Sequence, residues 1–543
     1  MQGLMMDLPM LLSRLIDYAA DHHGETEVVS RQINGSVERS NWRAVRSRSK
    51  QLAKSLLAAG FNSSTHFSSL TWNTINHLEV FYGVLGIGSP LHTLNPRLTV
   101  QDLCYMIELM EDKVCFYDSD TQPLAEEIDR HTDFITQWIY LDEGEDLPAS
   151  TLRNYMSLSM LKDGVDDQFE WPVFDERDAA TVCFTSGTTG RPKGVAYSHR
   201  SLTLCAMNMT MVDMYGSARN GELVCAMPVA PIFHANGWMM PFSAPMNGHK
   251  LVLPGRDFSP AAIVELISQE GVTIAGAVPT VWNDIIATAD NSNISLPSLS
   301  TALVAGTAIP EKLYDLLEGR GMGVRTTWGM TEVPGATRAS LPPTAGDADK
   351  ANIRNIALNR QGRVGFQADL RIIDGNGNRL PHDGVASGIL QVRGPIVAAR
   401  YVGELESQSV DWLDTGDIAV IYPDSTIQIV DRAKDVIKSG GEWISSPQLE
   451  AAAVSHPSVN LAAAVATPHP RWQERPFLLC TLNTGNTVTA DELRLHMAKS
   501  LAKWWLPEDI KFIDEMPLTA TGKINKVRLR ELYVQVDAIQ QQA

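Results

Sequence analysis

The sequence is poor in the features that mark several classes of protein. Only six cysteines occur in 543 residues (Cys104, Cys115, Cys183, Cys205, Cys225 and Cys480), and no two stand at zinc-ligand or dithiol spacing. That argues against a zinc module or a disulfide framework and reads as buried thiols in a reducing compartment. Positive charge is in deficit, with 45 Lys and Arg against 63 Asp and Glu and a formal net charge of −18. No uniform basic surface for nucleic acid is expected, and a site for any phosphate-bearing ligand needs its own local Lys, Arg or metal. No apolar run reaches the roughly 18 residues of a membrane span. Internal repeats and low-complexity tracts are also missing. The opening stretch, residues 1–24, is apolar but broken by Asp7, Arg14 and Asp17 at helical spacing, so an amphipathic helix is expected there and not a signal peptide. The closing Ala-Ile-Gln-Gln-Gln-Ala is not a peroxisomal address. A cytoplasmic location is expected by elimination.

What is present points to an α/β protein. Apolar residues at 44% and charged residues at 20% are ordinary for a globular chain. The length exceeds what one core supports, so two or more domains are expected. Helical and strand patterns alternate through the first 430 or so residues. Trp42 to Gly60 reads as an amphipathic helix with a glycine stop. Leu78 to Gly88 reads as a buried helix, and Pro260 to Glu270 as another helix. Thr181–Phe184, Leu251–Leu253, Thr301–Val304 and Val324–Thr327 read as strands. Pro310 suits a first helical turn and Gly319 its end. After about residue 360 short strands at Arg371–Asp374, Gly388–Arg393 and Ile427–Val430 alternate with Gly, Asn, Asp and Pro turns. The tail has its own αβ pattern. Thr489 to Lys503 reads as one helix with a Thr489–Glu492 capping box and Leu493, Met497, Leu501 and Trp504 on one side. The expected fold is thus a large N-terminal domain of parallel-rich sheets and helices with a β-rich subdomain, residues 1–433. A small α+β domain, residues 434–543, follows it.

The strongest chemical signal is Thr185-Ser186-Gly187-Thr188-Thr189-Gly190-Arg191-Pro192-Lys193-Gly194. Small residues let backbone amides approach phosphate oxygens, hydroxyls add donors, and Lys193 adds charge. Pro192 sets it apart from the common phosphate loop. This stretch resembles the signature loop of the adenylate-forming enzymes, the family of acyl-CoA synthetases, luciferases and adenylation domains. The resemblance continues in order through Trp328-Gly329-Met330-Thr331-Glu332, Asp414-Thr415-Gly416-Asp417, Asp431 to Gly441 and Pro517 to Lys523, and covers nearly the whole chain.

The resemblance implies roles that the residue chemistry suits. The loop Thr185, Ser186, Gly187, Thr188, Thr189, Gly190 and Lys193 would hold ATP phosphates. Trp328, where the family usually has Tyr, would stack on adenine beside Gly329, and the loop Ala305-Gly306-Thr307 would flank it. Thr331 would hold a phosphate oxygen, and Glu332, with Thr188, would bind Mg²⁺. Asp417, read as lying in a tight Thr-Gly-Asp turn, would bind the ribose hydroxyls, with Arg432 nearby. Lys434 would be the hinge about which a mobile small domain pivots. Lys438, Gly440 and Gly441 would then line the pantetheine path. Lys523 would be the lysine that reaches both the acyl carboxylate and the α-phosphate. Pro231-Ile232-Phe233-His234-Ala235-Asn236-Gly237-Trp238 is similar to the acyl-CoA ligase branch. There His234 would border the carboxylate and Trp238 would gate an acyl pocket also lined by Ala277, Val278, Pro279 and Pro334. His469, Arg471 and Trp472 are candidates for contacting the nucleotide end of coenzyme A.

The expected activity is ATP- and Mg²⁺-dependent ligation of a short- or medium-chain carboxylic acid to coenzyme A through an acyl-AMP. The chain looks most like medium-chain and 3-methylmercaptopropionate ligases, so 3-methylmercaptopropionate is a candidate substrate. The small-molecule acid is the expected partner, without nucleic acid or a membrane span; a homodimer is compatible with the sequence. The alternatives are a ligase that loads a carrier protein, a luciferase-like oxygenase and a non-catalytic relative that only binds nucleotide.

Overall fold

The computed structural model describes every residue except 2, 142–146, 186–190, 212–213, 215–222, 340–349, 441, 519–523 and 535–543; for 350–352 and 442 it describes the backbone alone. Two seven-stranded sheets dominate the large domain. One runs in the order Gly323–Thr326, Thr301–Val304, Ile274–Ala277, Cys225–Pro228, Lys250–Leu253, Glu27–Arg31, Val37–Asn41. The other runs Tyr155–Ser157, Gln137–Tyr140, Val114–Tyr117, Phe67–Leu70, Leu91–Thr93, Ala179–Phe184, Gly194–Ser198. Each is parallel except for its last pair. Parallel strands are covered on both faces, which explains why these short strands are apolar runs and not alternating ones. The helix Ile75–Gly86 is buried at every residue. One continuous core contains its apolar side chains together with Phe67 and Leu91 from one sheet and Val28, Ala226 and Leu251 from the other.

The β-rich segment forms a four-stranded antiparallel sheet, Asp369–Ile373, Ser387–Arg393, Leu413–Ile421 and Ile427–Arg432. Beyond it, a smaller C-terminal domain carries its own five-stranded sheet. Glu442–Ile444, Ile437–Ser439, Gln473–Leu482 and Val459–His469 lie in that order, and Asp509–Phe512 pairs with Gln473–Leu482. This sheet has a separate core that includes Leu449, Leu478, Leu493 and Met497.

Three local expectations are corrected. The helix expected in residues 1–24 is present but begins only at Leu12 and runs to His23; Pro9 has no N–H to offer a helix interior, and its carbonyl accepts from Leu11 N at 3.0 Å. The capping box at Thr489 and Glu492 is formed, but its helix is Ala490–Met497. Three-residue turns at Lys499 and Ser500 tighten its end, and Lys503–Trp505 is a separate 3₁₀ turn. Asp417 lies in a strand and not in a tight turn. Gly416 there has φ +68°, and the register with both neighbours shifts, the mark of a bulge. All six cysteines are free and buried. Among the described residues no helix is long and apolar enough to cross a membrane.

Candidate adenylation site

Four neighbouring parallel strands deliver the site. Cys225–Pro228, Ile274–Ala277, Thr301–Val304 and Gly323–Thr326 run side by side, with Ala277 opposite Val304 and Val304 opposite Thr326. Their carboxyl ends therefore lie along one edge, where open α/β sheets bind ligands. From that edge emerge the Phe233–Trp238 segment, Val278–Pro279, Ala305–Thr307 and Trp328–Glu332. Gly306 has φ +91°. Gly329 is packed so closely that a Cβ would meet Gly335 N at 2.9 Å and Val333 O at 3.0 Å. Pro334 is buried, and its carbonyl accepts from the Cys205 thiol at 3.1 Å.

The expected nucleotide residues are brought together. Trp328 is 7% exposed and Asp417 2%. The indole Nε1 donates to Asp417 Oδ2 at 2.9 Å, and Arg432 Nε meets Asp417 Oδ1 at 2.9 Å. Arg432 stands directly opposite Asp417 in the antiparallel ladder. The hydroxyl of Thr415 donates to Leu390 O at 2.8 Å and accepts from Asp417 N at 3.1 Å, which fixes the bulge. A carboxylate held this way presents a fixed charge that suits two vicinal hydroxyls.

The phosphate side contains residues that the sequence reading missed. Glu332 is 6% exposed, and its Oε1 accepts from the Tyr401 hydroxyl at 2.7 Å. The ammonium of Lys193 lies 4.5 Å from the centre of the same Tyr401 ring. Tyr197 donates to the carbonyl of Thr331. Burial, and then the Glu332 carboxylate, push the Tyr401 hydroxyl well above the usual tyrosine range, so it remains a donor. Nothing in the local sequence around Tyr401 marks it, because its partners are 69 and 208 positions away (401 − 332 and 401 − 193). Thr185 N donates to Lys193 O at 2.9 Å, closing the signature hairpin at its base. Ser186, Gly187, Thr188, Thr189 and Gly190 lie outside the described residues, as do Gly441 and Lys523.

The acyl side is built on an unusual backbone. Ala235, Asn236, Gly237, Trp238 and Met239 all have positive φ, between 36° and 65°. A left-handed turn of L-residues costs about 1–2 kcal/mol for each non-glycine position, so its surroundings must hold it. The incoming arm is pinned by buried Asn73, which accepts from Ile232 N at 2.8 Å and donates to Ala230 O at 3.2 Å. The Trp238 ring lies over Gly276, where a Cβ would meet it at 3.1 Å, with Met240 beside it at 3.4 Å. The ring of His234 packs edge-on against Phe233, with centroids 4.9 Å apart.

In the C-terminal domain Lys438 is on the strand Ile437–Ser439, with its N–H on Glu474 at 2.7 Å. Gly440 has φ +61°, and an added Cβ would meet the Trp472 ring at 2.9 Å. Its N–H donates to Trp472 O at 2.9 Å. The turn His469–Trp472 is thereby placed beside the glycine loop, with the Arg471 guanidinium 4.5 Å from the Trp472 ring centre.

The AMP-binding enzyme family pattern matches residues 16–402, and the AMP-binding enzyme C-terminal domain pattern matches residues 448–523. A 3-methylmercaptopropionyl-CoA ligase of Ruegeria lacuscaerulensis is 38% identical over 98% of this chain and 98% of its own. A medium-chain-fatty-acid–CoA ligase of Ectopseudomonas oleovorans is also 38% identical, over 98% of both. Among solved structures, an anthranilate CoA ligase with anthranoyl-AMP superposes with a TM-score of 0.86 at 22% identity, covering 98% of this chain and 99% of that one. The chain belongs to the AMP-binding enzyme family. It is an AMP-forming acid–thiol ligase, a reaction that uses ATP, Mg²⁺ and coenzyme A.

The residues present suit Mg²⁺. Among the described residues no cluster of three or more His, Cys, Asp or Glu side chains could cage a metal. A Mg²⁺ ion that keeps waters and rests on one carboxylate plus substrate phosphates needs no such cage. Glu332 could supply that carboxylate, and one of its oxygens already accepts from the Tyr401 hydroxyl.

Proposed function

We propose that this ligase activates a short- or medium-chain carboxylic acid, with 3-methylmercaptopropionate the named candidate, and passes its acyl group to coenzyme A. The observation that carries the reading is the Trp238 ring seated on Gly276 with Met240 alongside. This wall is bulky and soft, and it suits a thin, flexible or sulfur-containing tail. The names borne by the two relatives of 38% identity support the same class of acid.

In the first half-reaction the substrate carboxylate oxygen bonds to the α-phosphorus of ATP and pyrophosphate leaves. In the second the coenzyme A sulfur bonds to the acyl carbon and AMP leaves. Positioning and charge stabilisation dominate such chemistry. Asp417 with Arg432 holds the ribose, and Trp328 with Gly329 and the Ala305-Gly306-Thr307 loop flanks adenine. Thr331 and Lys193 hold phosphate, and His234 borders the carboxylate. Glu332 and Thr188 would ligate Mg²⁺, which neutralises phosphate charge. Lys523 serves the first half-reaction. The large domain ends at residue 433 and the small one begins at the pivot Lys434, whose movement brings Lys438, Gly440 and Gly441 to the pantetheine arm. The enzyme works in the cytoplasm, without nucleic acid, and a homodimer is compatible with it.

The test is AMP release across a panel of acids with and without coenzyme A. Best turnover with short or medium acids, and thioester made only with coenzyme A, is the expected result. Adenylate accumulating while coenzyme A stays unused would favour a carrier-loading ligase instead.

A further inference from the structure

The left-handed turn that carries Trp238 is fastened to the strand that leads into the signature loop. Thr181 and Cys183 are alternate residues of Ala179–Phe184, so their side chains share one face. The Thr181 hydroxyl donates to the amide oxygen of Asn236, and both residues are completely buried. The Cys183 sulfur lies beside the backbone of Ala235 and Asn236 and 3.6 Å from the Thr93 hydroxyl. Thus two consecutive side chains on that face meet the turn two residues before the gate ring. The same strand runs directly into Thr185, the base of the signature hairpin.

Asn236 is suited to its backbone, because asparagine tolerates the left-handed region better than other residues with a Cβ. Yet its Nδ2 is buried without a hydrogen-bond partner among the described residues. A buried amide that leaves a donor unmet is unusual, and residues held in rare conformations cluster at ligand clamps.

We propose that Asn236 is a positioning residue that, through Thr181, fixes the Trp238 ring and thereby sets which acyl chains are accepted. The proposal rests on the reading of Trp238 as the acyl gate. The turn holds the ring against Gly276, and the Thr181 bond sets where the turn sits along the strand. Losing that bond frees the ring to move without touching the nucleotide residues.

The experiment compares Asn236→Gly, Thr181→Val, their double variant and Trp238→Ala. Asn236→Gly keeps the left-handed backbone and deletes the amide; Thr181→Val keeps the shape and deletes the hydroxyl. The readout is the ratio of kcat/KM for octanoate to that for butyrate, together with the KM for ATP and thermal unfolding. Both single variants should shift the ratio in the same direction as Trp238→Ala, by about tenfold, the discrimination scale of a methylene contact. The double variant should shift it no further than either single one, as expected for one shared bond. The KM for ATP should stay where it is. A purely structural role would lower activity towards both acids equally and leave the ratio unmoved, which overturns the proposal. If Asn236→Gly fails to fold, Thr181→Val decides alone. A changed ratio only in Trp238→Ala defeats the coupling and spares the gate. An unchanged ratio in Trp238→Ala removes the gate and the proposal with it.

Discussion

Trp328 donates its indole N–H to Asp417 at 2.9 Å, and Arg432 holds the other oxygen of the same carboxylate at the same distance. On the proposed roles of Trp328 at adenine and Asp417 at the ribose, the indole would be both a stacking surface and the donor that orients that carboxylate. Trp328→Phe keeps a ring and deletes the donor. A hydrogen bond to a charged group contributes about 1.5–3 kcal/mol. The KM for ATP should therefore rise by about tenfold or more, since 1.4 kcal/mol is a factor of ten, while the KM for the acid stays constant. Steady-state kinetics with each substrate varied checks this, and an unchanged KM for ATP would show that Asp417 is oriented by Arg432 alone.

Tyr401 joins two parts of the phosphate side, because its hydroxyl meets Glu332 and its ring lies under Lys193. Tyr401→Phe keeps the ring and leaves the Glu332 carboxylate without that donor. The concentration of Mg²⁺ needed for half-maximal adenylation should rise, by about tenfold on the scale of an orienting partner around a metal ligand. A Mg²⁺ titration of pyrophosphate exchange measures it. Equal loss at every Mg²⁺ concentration would place Tyr401 outside the metal's surroundings.

Much of the fold was legible because its strands and helices are locally consistent. Pro260 to Glu270 is a helix with the expected bounds, and Gly319 caps the helix that follows Pro310. The site was legible where motifs are contiguous, as with Trp328–Glu332. It was not legible where function comes from convergence. Tyr197 and Tyr401 sit in stretches without any pattern, and only the packing of the strand Gly194–Ser198 against the loop at Ala398–Val402 brings them to Thr331 and Glu332. The left-handed turn at Ala235–Met239 was equally hidden, since Asn236 and Gly237 favour positive φ but Ala235, Trp238 and Met239 do not. The helix at Thr489 was read too long because Leu501 and Trp504 continue the apolar spacing after the backbone has already turned.

Asp431 gives a pH-dependent prediction. It is buried beside Arg432, and its oxygens accept from Arg432 N and Ser446 N, each at 2.7 Å. Burial pushes its carboxyl from 3.8 up to about 6, against the opposing pull of Lys526. A raised carboxyl pKa means that the folded chain favours the protonated form. The cost of holding the ionised form is absent below about pH 4 and develops fully as pH rises through about 6. That shift corresponds to about 3 kcal/mol. Asp431→Asn removes the titration. The stability of the variant relative to the unmodified protein should therefore improve between pH 4.5 and pH 7.5. Urea unfolding at both values measures the difference, and an identical difference at the two would contradict the assignment.

Lys523 lies outside the described residues, which resume at Ile524. Leu518 and Ile524 form an antiparallel bridge, and Asn525 N donates to Pro517 O at 2.8 Å. Three residues beyond Lys523, the Lys526 ammonium is held by Glu450 at 2.7 Å and by the Ser446 hydroxyl at 2.6 Å. If Lys523 neutralises charge as the carboxylate attacks the α-phosphorus, Lys523→Ala should slow pyrophosphate exchange by roughly 10²–10³-fold, the usual loss for one charge-stabilising donor. Thioester formation from acyl-AMP supplied directly should survive, because in that step no carboxylate attacks the α-phosphorus. The two half-reactions are measured separately on the same preparation. Equal loss in both would mean that Lys523 holds the domain together and does not serve adenylation.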